Sequence, residues 1–141
     1  MRRQVAEQHG CKSGDQNDRG RFILFDPNIN HAYIIGFTQS NGPVPGPLPA
    51  NQDLFILETD LLGNVITYWI YNTVSTDFPG SAQLLSDGTI LVGGRTLSFG
   101  TPNNGFVLKT LAGGTGVDFY KVFSNTGDDQ IGAVETSAGQ Y

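Results

Sequence analysis

Five polar side chains in predicted connecting segments are the best candidates for chemistry: Asp77, Asp128 and Asp129 with Asn103 and Asn104. Carboxylates and amides gathered on one rim of a rigid scaffold would bind a cation, a glycan or a basic peptide; the plain alternative is that they cap solvated turns. The two histidines, His9 and His31, lie in the N-terminal tail and in a turn, so no histidine cluster for zinc is visible. Asp26-Pro27-Asn28-Ile29-Asn30 alternates oxygen ligands as a calcium loop begins, but His31 occupies the glycine position and no Glu closes the loop, so it reads as a hairpin turn capped by Asx side chains. Trp69 with Tyr68 and Tyr71 offers either a sugar-stacking platform or packing between sheets. Gly113-Gly114-Thr115-Gly116 follows a strand but precedes another strand, which excludes a phosphate-binding turn into a helix. No nucleophile elbow, Walker loop or dinucleotide fingerprint occurs, and no cofactor is implied.

The composition says which elements must position these residues. Charged residues make up only 15% of the 141, while Gly reaches 19, a balance that suits short strands and tight turns. The formal net charge of −5 and the lack of a basic cluster beyond Arg2-Arg3 argue against nucleic acid and anionic membrane as partners. Cys11 is the single cysteine, so no internal disulfide forms. The first twenty-one residues lack the apolar core of a secretory signal and read as a flexible polar arm, and no apolar run is long enough to span a bilayer.

A repeat organises the rest. NINHAYIIGFT and SDGTILVGGRT align on Gly36-Phe37-Thr38 and Gly94-Arg95-Thr96, fifty-eight residues apart. Between them lie strands predicted at Asp53–Asp60, Val65–Tyr71, Ser81–Leu85 and Thr89–Arg95, with Gly63-Asn64, Asp77-Phe78-Pro79-Gly80 and Asp87-Gly88 as turns. The order restarts about fifty-one residues later in Gly105–Thr110, Phe119–Phe123 and Gly132–Gly139. A four-stranded meander of about fifty residues, repeated, is the pattern of a β-propeller blade. The expected class is therefore all-β, with about two blades' worth of strands: a half blade over 22–40, a complete blade over 53–98 and an incomplete one over 105–141.

The complete copy, with Asp53, Phe55, Ile56, Asp60, Gly63, Trp69, Tyr71, Asp77, Asp87, Gly88, Leu91, Gly94 and Thr96, resembles the repeat of bacterial secreted β-propellers. The last copy departs from it with Leu111, Lys121 and Ala138 where Asp60, Trp69 and Asp87 stand. That resemblance implies an extracellular or periplasmic setting and a propeller fold. It does not select a function, because propellers host enzymes and binders alike.

Closing a propeller takes more than two blades. The expectation is a non-enzymatic binding or interaction module that self-associates into a ring, with Phe22–Phe25 or Ala32–Phe37 of one chain completing the last repeat of another. The alternative is a fragment of a larger propeller enzyme such as a carbohydrate-active hydrolase, which needs two carboxylates facing each other across a pocket.

Overall fold

A computed structural model describes residues 18–39, 52–71, 75–99 and 102–135. They form eight strands: β1 (Arg19–Asp26), β2 (His31–Thr38), β3 (Asp53–Asp60), β4 (Val65–Tyr71), β5 (Asp77–Leu84), β6 (Ile90–Thr96), β7 (Asn104–Thr110) and β8 (Val117–Phe123). The fold is all-β: two four-stranded antiparallel meanders, β1-β2-β3-β4 and β5-β6-β7-β8, which do not close a ring. This is the strand content of two blades.

Each hairpin has a local cause. The Asp26 carboxylate accepts the Asn28 N–H at 2.9 Å and Asn30 takes φ 56°, turning β1 into β2. Asp60 accepts from the Leu62 and Asn64 N–H groups at 2.8 Å each, with Gly63 at φ 87°. Asp87 accepts both the N–H and the hydroxyl of Thr89, beside Gly88 at φ 79°. A 3-10 turn over Ala112–Gly114 joins β7 to β8.

The repeat is visible atom by atom. A Cβ on Gly36 would lie 1.9 Å from the Arg19 carbonyl oxygen and 2.7 Å from the Phe55 ring. On Gly94 it would lie 2.2 Å from the Phe78 oxygen and 2.7 Å from the Phe106 ring. In both sheets a glycine thus lets an aromatic ring lie flat on the neighbouring strand. The two sheets then pack face to face, burying Tyr33, Ile35, Leu54 and Ile56 of the first against Ile90, Val92, Phe106 and Leu108 of the second. The Tyr71 hydroxyl pins the pair by donating to the Gly114 carbonyl at 2.7 Å.

The sheets divide the chain between β4 and β5, two strands out of phase with the frame 22–40, 53–98 and 105–141. Four strands in cyclic repetition carry no mark of where a sheet begins, and a stretch that reads as a turn obscured the start. Asp77-Phe78-Pro79-Gly80 is the first half of β5, a sheet edge where Pro79 leaves no ladder bond unmade, with a bulge at Gly80. Phe22–Phe25 and Ala32–Phe37 pair within their own sheet. Arg19 to Arg21 belong to β1 rather than to a polar arm; residues 1–17 of that arm, with His9 and Cys11, and the proline-spaced segment 41–51 lie outside the described residues. Residues 132–135, expected to open a strand, run outside both sheets, and 136–139 lie outside the described residues.

Candidate functional site

The five predicted site residues separate into two groups. Asp77 opens β5 and donates its N–H to the Gln52 carbonyl at 2.7 Å. It stands opposite Thr96, which stands opposite Asn104, and all three are buried. The first sheet repeats this row: Thr38 faces Asp53, and its hydroxyl donates to Asp18 at 2.6 Å. Asp77 and Asn104 are therefore members of a buried polar row crossing each sheet, not exposed turn residues.

Asn103, Asp128 and Asp129 do come together. The Asp128 carboxylate accepts the Asn103 backbone N–H at 2.8 Å and its side-chain amide at 3.0 Å. Asp129 donates its N–H to the Asn103 carbonyl at 2.8 Å, as Asp77 does to Gln52. The backbone and side-chain bonds from Asn103, helped by the charge of Arg95, hold the Asp128 carboxyl below its ordinary range. These bonds fasten the chain after β8 to the start of β7. Among the described residues, no three His, Cys, Asp or Glu side chains converge as a metal site.

A second polar cluster has no signature in residue spacing. His31 Nδ1 lies 2.6 Å from Glu58 Oε1, across the β2–β3 ladder, and the Tyr33 hydroxyl donates to the same oxygen at 3.5 Å. Glu58, Tyr33 and Asp26 are buried. Burial, the charges of Glu58 and Asp26, and the bond to Glu58 push the Tyr33 hydroxyl up to about 12. At the matching positions the second sheet carries Thr89, Leu91 and Lys109, so the cluster belongs to one sheet alone. Only strand pairing brings residues twenty-seven apart into contact; a histidine and a glutamate placed inward on neighbouring apolar strands were the available signal.

The largest chemical asymmetry lies on the outer side of the first sheet. Phe55 stacks on Tyr68 with ring centroids 6.1 Å apart, and Phe106 stacks on Tyr120 at 5.4 Å, so these two faces are equivalent. In the second sheet this face, with Val92, Phe106, Leu108, Ala82 and Leu84, is the one packed against the first sheet. In the first sheet Phe55 and the Thr38–Asp53 row on this face are buried, but its β1 side is open. Ile23 and Phe25, which occupy the places of Ala82 and Leu84, are 73% and 51% exposed.

Between the sheets, where β4 and β8 splay, lies a cleft of about 340 Å³ lined by Leu54, Trp69, Tyr71, Asp77, Phe106 and Tyr120 among others. Trp69 borders it and is 38% exposed, so it is not the fully buried packing residue its type suggests. Burial and, after it, the charge of Asp77 push the Tyr120 hydroxyl up to about 12. No protein-family model matches the chain, and no curated protein matches it.

Proposed function

We propose that this chain is a two-blade unit of a β-propeller, a non-enzymatic interaction module whose partners are copies of itself stacked head to tail into a ring. The observation that supports this most is the exposed apolar β1 side of the first sheet's outer face. Its equivalent in the second sheet forms half of the core, and it carries Ile23 and Phe25 where the covered sheet carries Ala82 and Leu84. Face-to-face stacking of one sheet's inner side on the next sheet's outer side is heterologous, and such contacts close into rings when the rotation allows. An apolar face of this kind marks a protein interface.

Phe25→Asp tests the reading, because its side chain is half exposed in the single chain and contributes little to that chain's own core. The variant is expected to keep the strand signal in circular dichroism and to sediment at the single-chain mass of 15.2 kDa while the parent sediments heavier. A variant that keeps the parent's larger mass would overturn the assignment of this face. The alternative, a fragment of a carbohydrate-active hydrolase, would draw on Glu58 and Asp26 beside His31. Turnover of a glycoside panel, lost in Glu58→Gln, would favour it instead.

A further inference from the structure

The cleft between β4 and β8 has aromatic rings on both of its walls. Trp69 and Tyr71 stand opposite Ile56 and Leu54 in the β3–β4 ladder, so they share the inner side of the first sheet. Tyr120 stands opposite Leu108 in the β7–β8 ladder, on the side of the second sheet that faces them. The walls are fixed before any ligand arrives. The Tyr71 hydroxyl bonds the Gly114 carbonyl at 2.7 Å and lies 3.3 Å from that of Gly116, and Tyr120 stacks on Phe106 with centroids 5.4 Å apart. The lining also departs from the repeat: Lys121 stands opposite Val107 at the place where Trp69 stands opposite Ile56.

Asp77 and Tyr120 add oxygen atoms to this apolar lining. Asp77 is 2% exposed, and its negative charge is felt at the Tyr120 phenol. The Tyr120 hydroxyl oxygen is itself buried and makes no hydrogen bond among the described residues. A buried oxygen left this way costs free energy that a hydrogen-bond donor would recover. We propose that the cleft is a binding site for a small organic cation, a primary ammonium group carried on an aryl-alkyl body. The ammonium donates to the Asp77 carboxylate and to the Tyr120 oxygen, while the surrounding rings attract its charge through their electron-rich faces. The apolar body displaces water from Leu54, Leu108 and Trp69. A cleft of about 340 Å³ lies at the small end of ligand pockets, and an anion would be opposed both by Asp77 and by the chain's net charge of −5. Both walls belong to one chain, so the site stands whether or not chains assemble.

Trp69 is the only tryptophan in the chain, so its fluorescence reports on the cleft. Titration of the full chain with 2-phenylethylammonium is expected to shift that emission saturably, with one molecule bound per chain. The neutral 2-phenylethanol, which keeps the ring and lacks the charge, should bind at least about tenfold more weakly, a difference of about 1.4 kcal/mol. No saturable change at millimolar ligand overturns the site, and equal affinity for the two compounds overturns its preference for a cation. Asp77→Asn should remove most of that tenfold preference; a variant that binds the ammonium as tightly as the parent overturns the role of Asp77. Should Asp77→Asn not fold, Trp69→Leu decides by calorimetry, because it keeps the wall apolar and removes the ring. Loss of about fivefold in ammonium affinity supports the site, and an unchanged affinity overturns it.

Discussion

At Gly36 and Gly94 a missing side chain sets how closely an aromatic ring approaches the next strand. The atoms a Cβ would meet are backbone oxygens at 1.9 and 2.2 Å, which move only with the strand that carries them. Gly94→Ala is therefore expected to lower unfolding stability by about 1–3 kcal/mol, read from denaturant midpoints. Glycine in the Gly-x-Thr motif was legible as a repeat marker, but the reason for it, a ring lying across the backbone, needed the register. Tyrosines give a second residue-scale test. Tyr33, Tyr71 and Tyr120 are each pushed from 10 up to about 12, first of all by burial. A group whose folded pKa is raised contributes stability that is whole below its unfolded pKa and is lost as pH rises through the folded one. Stability is thus expected to fall between about pH 10 and 12, with phenolate absorbance at these three residues appearing only in that range. Tyr71→Phe removes the bond to Gly114 and should cost about 1 kcal/mol in addition.

At the scale of the element, acidic side chains shape the turns. Asp60, Asp87 and Asp128 are all held below the ordinary carboxyl value of 3.8, chiefly by bonds from Asn64, Thr89 and Asn103 respectively. Depressed folded values mean that their contribution is present above about pH 4 and lost as pH falls through the folded pKa. Thermal midpoints are expected to be flat from pH 5 to neutrality with respect to these groups and to decline below about pH 4. In Asp60→Asn with Asp87→Asn and Asp128→Asn, that decline should be shallower; an unchanged acid slope would mean that the turns are held by their glycines alone. These turns were legible because Asx residues and glycines announce them. β5 was not, because Pro79 and Gly80 imitate a turn when the edge position that tolerates them is unknown. The buried row of Asp77, Thr96 and Asn104 was hidden for a related reason: strand-end polar residues look like loop residues until their ladder partners are fixed.

For the whole molecule, repeat spacing revealed the strand content but not its phase. The face equivalence of the two sheets is what links the fold to a function. Phe106 and Leu108 are buried because another sheet covers them, whereas Ile23 and Phe25 on the matching face of the first sheet meet solvent. Completing the burial of those two partly exposed side chains would contribute roughly 1–2 kcal/mol each. The His31–Glu58 pair faces inward on that same sheet, so its charge does not oppose stacking on the outer side. The most direct test of self-assembly through this face is the sedimentation equilibrium of the unmodified chain across a wide concentration range. The account predicts a mass that is a whole multiple of 15.2 kDa and returns toward the single chain on dilution. A soluble, folded single chain at every concentration would contradict it.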